Sequence, residues 1–237
     1  MAPAATALAL TCLLIYGVQQ TAYRVEFAFG YSFGQALTSC FGLNWPLLSR
    51  GFVWQPATYM FLHANWLHVG LNMLTVLLFG SGLEIEVGGR RFWRIFLAGG
   101  VLGGLGWLAV TALLPHLPHL GSLTHWMPQA LARWLAAGEL TDRSLDGAQC
   151  IGASGGVFAL IGAYAALFPK REVYVLLVIV PVRLRARSLA LLLGVLTVTE
   201  AVFVQSQIAY AAHLAGGLSG FLYGLRLKRL GVAGFEE

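Results

Sequence analysis

Charge is what this chain lacks most. Only 11% of its 237 residues are Asp, Glu, Lys or Arg, while 58% are hydrophobic and the mean hydropathy is +0.73. A soluble globular domain carries about a quarter charged residues. So few charges cannot cover a water-facing surface, which excludes an ordinary soluble domain and leaves a helical protein that crosses a bilayer several times. Cysteine is scarce too. Cys12, Cys40 and Cys150 are odd in number and scattered, so they make neither a disulfide framework nor a metal-ligand spacing. They read as small buried apolar side chains. His63, His68 and His213 could in principle bind zinc, but H-E-x-x-H is absent and no carboxylate lies close to them in sequence. No metal or organic cofactor is therefore expected. There is no internal repeat and no independent soluble domain. The net charge of +5 is not a nucleic-acid patch, because the basic residues cluster between apolar spans.

Six apolar segments are present. A helix needs about 20 apolar residues to cross a bilayer core. Spans are expected at 3–20, 57–82, 93–114, 152–168, 187–204 and 207–225. The first lacks a basic leader region, so it reads as a span and not as a cleaved signal peptide. Residues 173–182 are apolar and β-branched but too short to span, so 173–186 reads as a surface or re-entrant stretch. Two long loops, 21–56 and 115–151, share the other side and suit interfacial elements at the outer leaflet. One side of the membrane collects Arg90, Arg91, Arg94, Lys170, Arg171, Arg183, Arg185, Arg187, Arg226, Lys228 and Arg229; the other holds Arg24, Arg50, Arg133 and Arg143. The basic side is cytoplasmic by the positive-inside rule. Both termini are then expected in the cytoplasm, in a bacterial inner membrane. The expected fold is an all-α polytopic membrane protein forming a single domain.

Polar residues inside spans are functional candidates, because placing them there is unfavourable. The second span reads FLHANWLHVGLNM and carries His63, His68 and Asn72, the last two four apart on one helical face. The fourth opens with GASGG, where Ser154 heads an apolar run. The sixth carries His213, and the fifth Glu200 near its outer end. Spans 2, 4 and 6 all enter from outside, so Ser154, His213, His63, His68 and Asn72 meet at one membrane level. Serine needs a general base to become a nucleophile, and imidazole is the usual one. An acyl-transfer intermediate also needs donors for its oxyanion. Asn72, His68 and the backbone N–H groups of Ser154 and Gly155 can supply them.

Other readings compete. A Gly/Ala/Ser run in a membrane helix is more often packing glue than a nucleophile. The sixth span has a small face of Gly217, Gly220 and Gly224 beside His213, and the fourth a matching one of Gly155, Ala159, Gly162 and Ala166. Close approach of these faces is also what would bring His213 to Ser154. The literal G-x-S-x-G of Gly152 to Gly156 belongs to soluble hydrolases only after a strand of an α/β sheet, and no such sheet or aspartate partner is present. A channel or transporter would carry ionisable residues through the whole membrane depth; here they gather at one end.

These residues resemble the rhomboid intramembrane serine proteases over roughly residues 50–225. Gly152-Ala153-Ser154-Gly155 is similar to the family's G-x-S-G. Ala212-His213 with Gly216 and Gly220 is similar to its A-H-x-x-G-x-x-x-G, and His63, His68 and Asn72 to its H-x4-H-x3-N. Gly82-Leu83-Glu84 followed by Gly88 and Gly89 resembles its G-x-x-L-E turn, while Trp54-Gln55-Pro56 stands where many members carry Trp-Arg. The resemblance implies a six-helix bundle with a Ser154–His213 dyad, oxyanion stabilisation by His68 and Asn72, and Phe158 beside the catalytic histidine. It implies cleavage of transmembrane segments of membrane proteins near the outer face, with no cofactor. Substrate would enter between spans 2 and 5, where Phe61, Trp66, Val202 and Phe203 are bulky. The alternative within the family is a catalytically silent member that binds and escorts membrane clients.

Overall fold

The computed structural model describes residues 2–26, 32–113, 149–177, 180–203 and 210–232, with the backbone alone for 176–177, 180–181 and 199–203. Helix α1 (Pro3–Tyr23) opens with a proline in its first turn, where the missing N–H costs nothing. Its buried side chains include Ala5, Leu8, Cys12, Tyr16 and Gln19, which recur every three or four residues and form one stripe. The loop expected at 21–56 contains α2 (Phe33–Phe41), started by a Ser32–Gln35 capping box, and α3 (Trp45–Leu48), capped by Asn44. Phe33, Phe41 and Trp45 are exposed there, as an interfacial element requires. Most of the second expected outer loop, 115–151, lies outside the described residues.

The span expected at 57–82 is displaced toward the C-terminus. Residues 55–61 form the short α4 (Gln55–Thr58) and a 3-10 turn (Tyr59–Phe61), and the chain is extended at Leu62. Asn65 then caps α5 (Trp66–Thr75), its side-chain oxygen accepting the His68 N–H at 2.8 Å. A π-helical turn (Val76–Gly80) joins α5 to α6 (Ser81–Val87), so Trp66–Val87 is one long apolar helix. Gly88, at φ +82°, ends it in a conformation that favours glycine. Buried Glu84 accepts the N–H groups of Ala4 (2.9 Å) and Ala5 (2.8 Å) on its two side-chain oxygens. The G-x-x-L-E match therefore marks the group that caps α1, since a helix start leaves four donors open.

Helix α7 (Gly89–Leu113) follows, then α8 (Ser154–Leu167), a strand β1 (Glu172–Leu177), a strand β2 (Val180–Arg185), α9 (Ala186–Phe203) and α10 (Tyr210–Arg229). The chain is therefore mostly helical but not all-α. Strands β1 and β2 pair antiparallel, with Glu172 facing Arg185 and Tyr174 facing Arg183. Their β-branched composition suits strands, and an Arg183–Glu172 ion pair at 3.0 Å joins them. Three described helices are long and apolar enough to cross a membrane, namely Pro3–Tyr23, Trp66–Val87 and Gly89–Ala112. Helix α8 and the Ala186–Val198 part of α9 are apolar but shorter.

Helix α8 is the centre of the bundle. Apart from Ser154 and Phe158 all its residues are buried, so its apolar pattern has no polar face to show. It packs against α10 at backbone contact. A Cβ on Gly216 would strike the Gly155 carbonyl oxygen, and one on Gly220 the Ala159 carbonyl oxygen. Gly217 is different: a Cβ there would meet only Phe158, at an ordinary 3.8 Å. The close face of α10 thus runs through Gly216, Gly220 and Gly224, with Gly216 in the place expected of Gly217. Gly217 contributes its carbonyl oxygen, which a Cβ on Gly162 would strike. Two residues expected at a gate point elsewhere. Phe61 meets Phe96 of α7 edge-on, and Trp66 meets Tyr16 of α1 edge-on. The side chains of Val202, Phe203 and Glu200 lie outside the described ones.

Candidate active site

Ser154 is the first residue of α8, and His213 lies in the first turn of α10. The close glycine contacts bring the two helices together at this level, and His213 Nε2 stands 2.8 Å from Ser154 Oγ. Phe158, one turn after Ser154, lies flat on the imidazole with ring centroids 4.4 Å apart and planes 2° apart. Among the described residues the ring contacts shown are the Ser154 hydroxyl and the Phe158 face.

The approach to Ser154 is pinned at several points. Leu43 and Cys150 exchange both backbone hydrogen bonds, at 3.0 and 2.8 Å. The Gln149 side-chain amide donates to the Thr38 carbonyl oxygen at 2.6 Å. Gly152 N–H donates to the Tyr59 carbonyl oxygen at 2.9 Å, and the Tyr59 hydroxyl donates to the Gly100 carbonyl oxygen at 2.7 Å. Gly152 itself has φ +127°, a conformation that side-chain-bearing residues rarely adopt. The space where its Cβ would stand is 2.7 Å from His68 Nε2 and 3.8 Å from Ser154 Oγ. That space is bordered by the His68 imidazole and the Ser154 hydroxyl together, so a larger residue at 152 would crowd both.

Asn72 is buried on α5, and its side-chain amide donates to the His68 carbonyl oxygen at 2.9 Å. Among the described residues that is its one side-chain hydrogen bond, which leaves a second amide N–H. The N–H groups of Ser154 and Gly155 belong to the opening turn of α8, where helix donors lack intrahelical partners. His63 sits before α5 rather than on it and is fully buried. Its Nε2 faces the Ala153 N–H at 3.4 Å, and its ring meets that of His68 edge-on at 5.2 Å. Cys150 does not rival Ser154: burial pushes its thiol up to about 12, and a neutral thiol is a poor nucleophile. Among the described residues no group of three His, Cys, Asp or Glu could hold a metal ion.

Sequence reading passes over Gln19, Tyr59 and Gln149. Gln19 carried a signal, since it is a polar residue near the end of an apolar span. Tyr59 and Gln149 sit in stretches taken as span and loop, with nothing local to mark their distant partners.

The fold and this site define an integral membrane protein with a serine–histidine pair at the head of a buried helix. The rhomboid domain matches residues 50–230, and the chain belongs to the rhomboid family. It is 28% identical over 169 residues to Rhomboid protein 1, mitochondrial, of Saccharomyces cerevisiae, covering 71% of this chain and 40% of that one. It is 34% identical over 85 residues to Rhomboid-like protease 1 of Toxoplasma gondii, covering 35% and 28%. With RHOMBOID-like protein 6, mitochondrial, of Arabidopsis thaliana it shares 26% over 199 residues, covering 82% and 50%. The chain thus spans half or less of the length of each of these relatives.

Proposed function

We propose that the chain is an intramembrane serine endopeptidase that cleaves transmembrane segments of membrane proteins near the outer membrane face. The observation that carries this reading is the 2.8 Å contact between His213 Nε2 and Ser154 Oγ at the open end of α8. Hydrogen-bond reach between nucleophile and base is the first requirement of such chemistry. Family membership and the name of the Toxoplasma relative support it.

In the proposed reaction Ser154 Oγ bonds to the scissile carbonyl carbon while His213 Nε2 takes its proton. The carbonyl oxygen becomes an oxyanion facing Asn72, His68 and the N–H groups of Ser154 and Gly155. The C–N bond then breaks, and His213 gives its proton to the leaving amine. Water attacks the acyl-enzyme, and its proton returns through His213 to Ser154 Oγ. Neutral imidazole is required for the first step and imidazolium for the second. No step calls for a metal or organic cofactor, and the partners are the bilayer and the substrate's transmembrane segment.

Six crossings complete the reading, with α8, α9 and α10 passing through the membrane beside the three longer helices. Helix α8 is short for a bilayer of about 30 Å. A helix surrounded by other helices need not meet lipid along its whole length, and its outer end can lie below the surface in a water-filled cavity. The basic residues at the inner ends of α7 and α10 and around β1 and β2 orient both termini to the cytoplasm, as in a bacterial inner membrane.

A catalytically silent family member that escorts clients is the rival. Purified protein in detergent, treated with a fluorophosphonate, separates the two. Labelling of the parent that disappears in Ser154→Ala, with cleavage of a model transmembrane substrate lost in the same variant, is the expected result. Undiminished cleavage by Ser154→Ala would overturn the reading.

A further inference from the structure

We propose that Gln19 on α1 is a positioning residue for Ser154 that acts through His63; this rests on the serine-protease reading above. Gln19 is 1% exposed and stands at the outer end of the buried stripe of α1. Its primary amide takes both backbone groups of one distant residue. Gln19 Oε1 accepts the His63 N–H at 3.2 Å, and Gln19 Nε2 donates to the His63 carbonyl oxygen at 3.0 Å. This is the two-point contact that a neighbouring strand would make. Residue 63 lies between the 3-10 turn and α5, in neither helix nor strand, so no ladder supplies those bonds. A buried backbone donor and acceptor must find partners somewhere, and here one side chain provides both. Two contacts fix where residue 63 sits and how its peptide planes are turned, and so where its ring points.

The ring leads to the nucleophile. Nε2 is the nitrogen of the imidazole that faces the segment before Ser154. Nε2 accepts the N–H of Ala153, the residue just before Ser154, at 3.4 Å. Accepting there requires a neutral ring with its proton on Nδ1. A good N–H···O or N–H···N contact is nearer 2.9–3.0 Å, so this one is at the weak edge, where a few tenths of an ångström decide whether it exists. The path from α1 to the Ser154 backbone is thus Gln19, His63, Ala153. A second, longer arm runs from Gln19 Nε2 to the Thr38 hydroxyl at 3.4 Å. Thr38 also meets the Tyr23 hydroxyl at 2.9 Å and takes the Gln149 amide on its carbonyl oxygen, so this arm too ends on the segment before Ser154.

The test measures the fluorophosphonate labelling rate of Ser154 in the full chain in detergent. The variants are Gln19→Leu, Gln19→Glu, His63→Ala and the Gln19→Leu/His63→Ala double, with Thr38→Val to remove the second arm. A nucleophile displaced by about 1 Å can lose 10²-fold in rate, so Gln19→Leu should label roughly 10- to 100-fold more slowly. Gln19→Glu, which keeps an acceptor for His63 N–H but loses the donor, should fall between it and the parent. The readout that a merely structural anchor would not move is coupling: in a Thr38→Val background, where the second arm is already gone, the double variant should be no slower than His63→Ala alone. Thr38→Val should slow labelling less than Gln19→Leu. If Gln19→Leu does not fold, Gln19→Glu and its double with His63→Ala carry the same comparison. Labelling at the parent rate in Gln19→Leu or Gln19→Glu, or additive slowing in the double in that background, overturns the proposal while leaving the protease reading intact. A parent that never labels overturns both.

Discussion

The Phe158 ring lies parallel to the His213 imidazole at 4.4 Å, and Phe158 rides on the same helix as Ser154, one turn further in. His213 is therefore held to the helix of Ser154 twice, once by Oγ and once by a ring face. An aromatic pair is worth about 0.5–1.5 kcal/mol beyond the area it buries. Phe158→Leu should therefore slow cleavage about 2- to 12-fold, each 1.36 kcal/mol being tenfold. Turnover of a fixed membrane substrate by equal amounts of folded protein measures it, and an unchanged rate would leave Phe158 a packing residue only.

Nucleophile and base work as one unit, so loss of either is near-total. Ser154→Ala and His213→Ala should each abolish cleavage while preserving expression and helix content. Residual turnover by His213→Ala above a heat-denatured control would refute a role for that histidine as base.

Removing one oxyanion donor slows acyl transfer by about 10²- to 10³-fold elsewhere. Asn72→Ala should act at the lower end of that range, because the amide also holds the His68 carbonyl oxygen at 2.9 Å. The fall should appear in kcat more than in KM. A change confined to KM would place Asn72 in substrate binding instead.

Neighbouring glycines on α10 should behave differently. A Cβ at Gly216 or Gly220 would strike the backbone of α8, while one at Gly217 finds an ordinary 3.8 Å contact. Gly216→Ala and Gly220→Ala should separate the helices and lose activity by about 10²-fold, the size expected of a 1 Å misplacement. Gly217→Ala should keep parent-like activity and stability within about 0.5 kcal/mol, as substitutions away from special sites do. Equal behaviour of all three would contradict this close face.

Glu84 offers a stability test far from the chemistry. Its carboxyl oxygens accept the Ala4 and Ala5 N–H groups at 2.9 and 2.8 Å in a buried position. Leaving buried donors unpaired costs about 1–3 kcal/mol each. Glu84→Ala should lower unfolding stability in detergent by at least about 2 kcal/mol, and Glu84→Gln by less, since its amide oxygen can still accept. A Glu84→Ala unfolding curve superimposed on that of the parent would show that α1 needs no cap there.

Much of this was legible in one dimension. Hydropathy is a local sum, so it found α1, α7, α8 and α10 and the membrane class. Ser154, His213, His63, His68 and Asn72 stood out because polar groups are rare in such helices, and the parity of spans put them at one depth before any contact was known. Other features depend on partners far away in sequence. The second span begins at Trp66 because the chain extends at Leu62 and Asn65 caps the helix, a local choice that apolar content cannot register. Glu172–Leu177 pairs with Val180–Arg185 because each strand satisfies backbone groups of the other, which is a question of hydrogen bonding and not of hydropathy. Gly216 rather than Gly217 turns its Cβ position onto the α8 backbone because neighbouring residues differ by about 100° around a helix axis, and the turn of one helix against another is set by packing. Gln19 meets His63 across 44 residues, a pairing decided only when α1 docks and an amide finds the backbone that lacks partners. Composition thus determined the solvent, the number of apolar segments and the polar inventory. Tertiary packing decided which faces meet, where each helix starts and which side chain takes up the His63 backbone, because those depend on three-dimensional distances that sequence spacing does not carry.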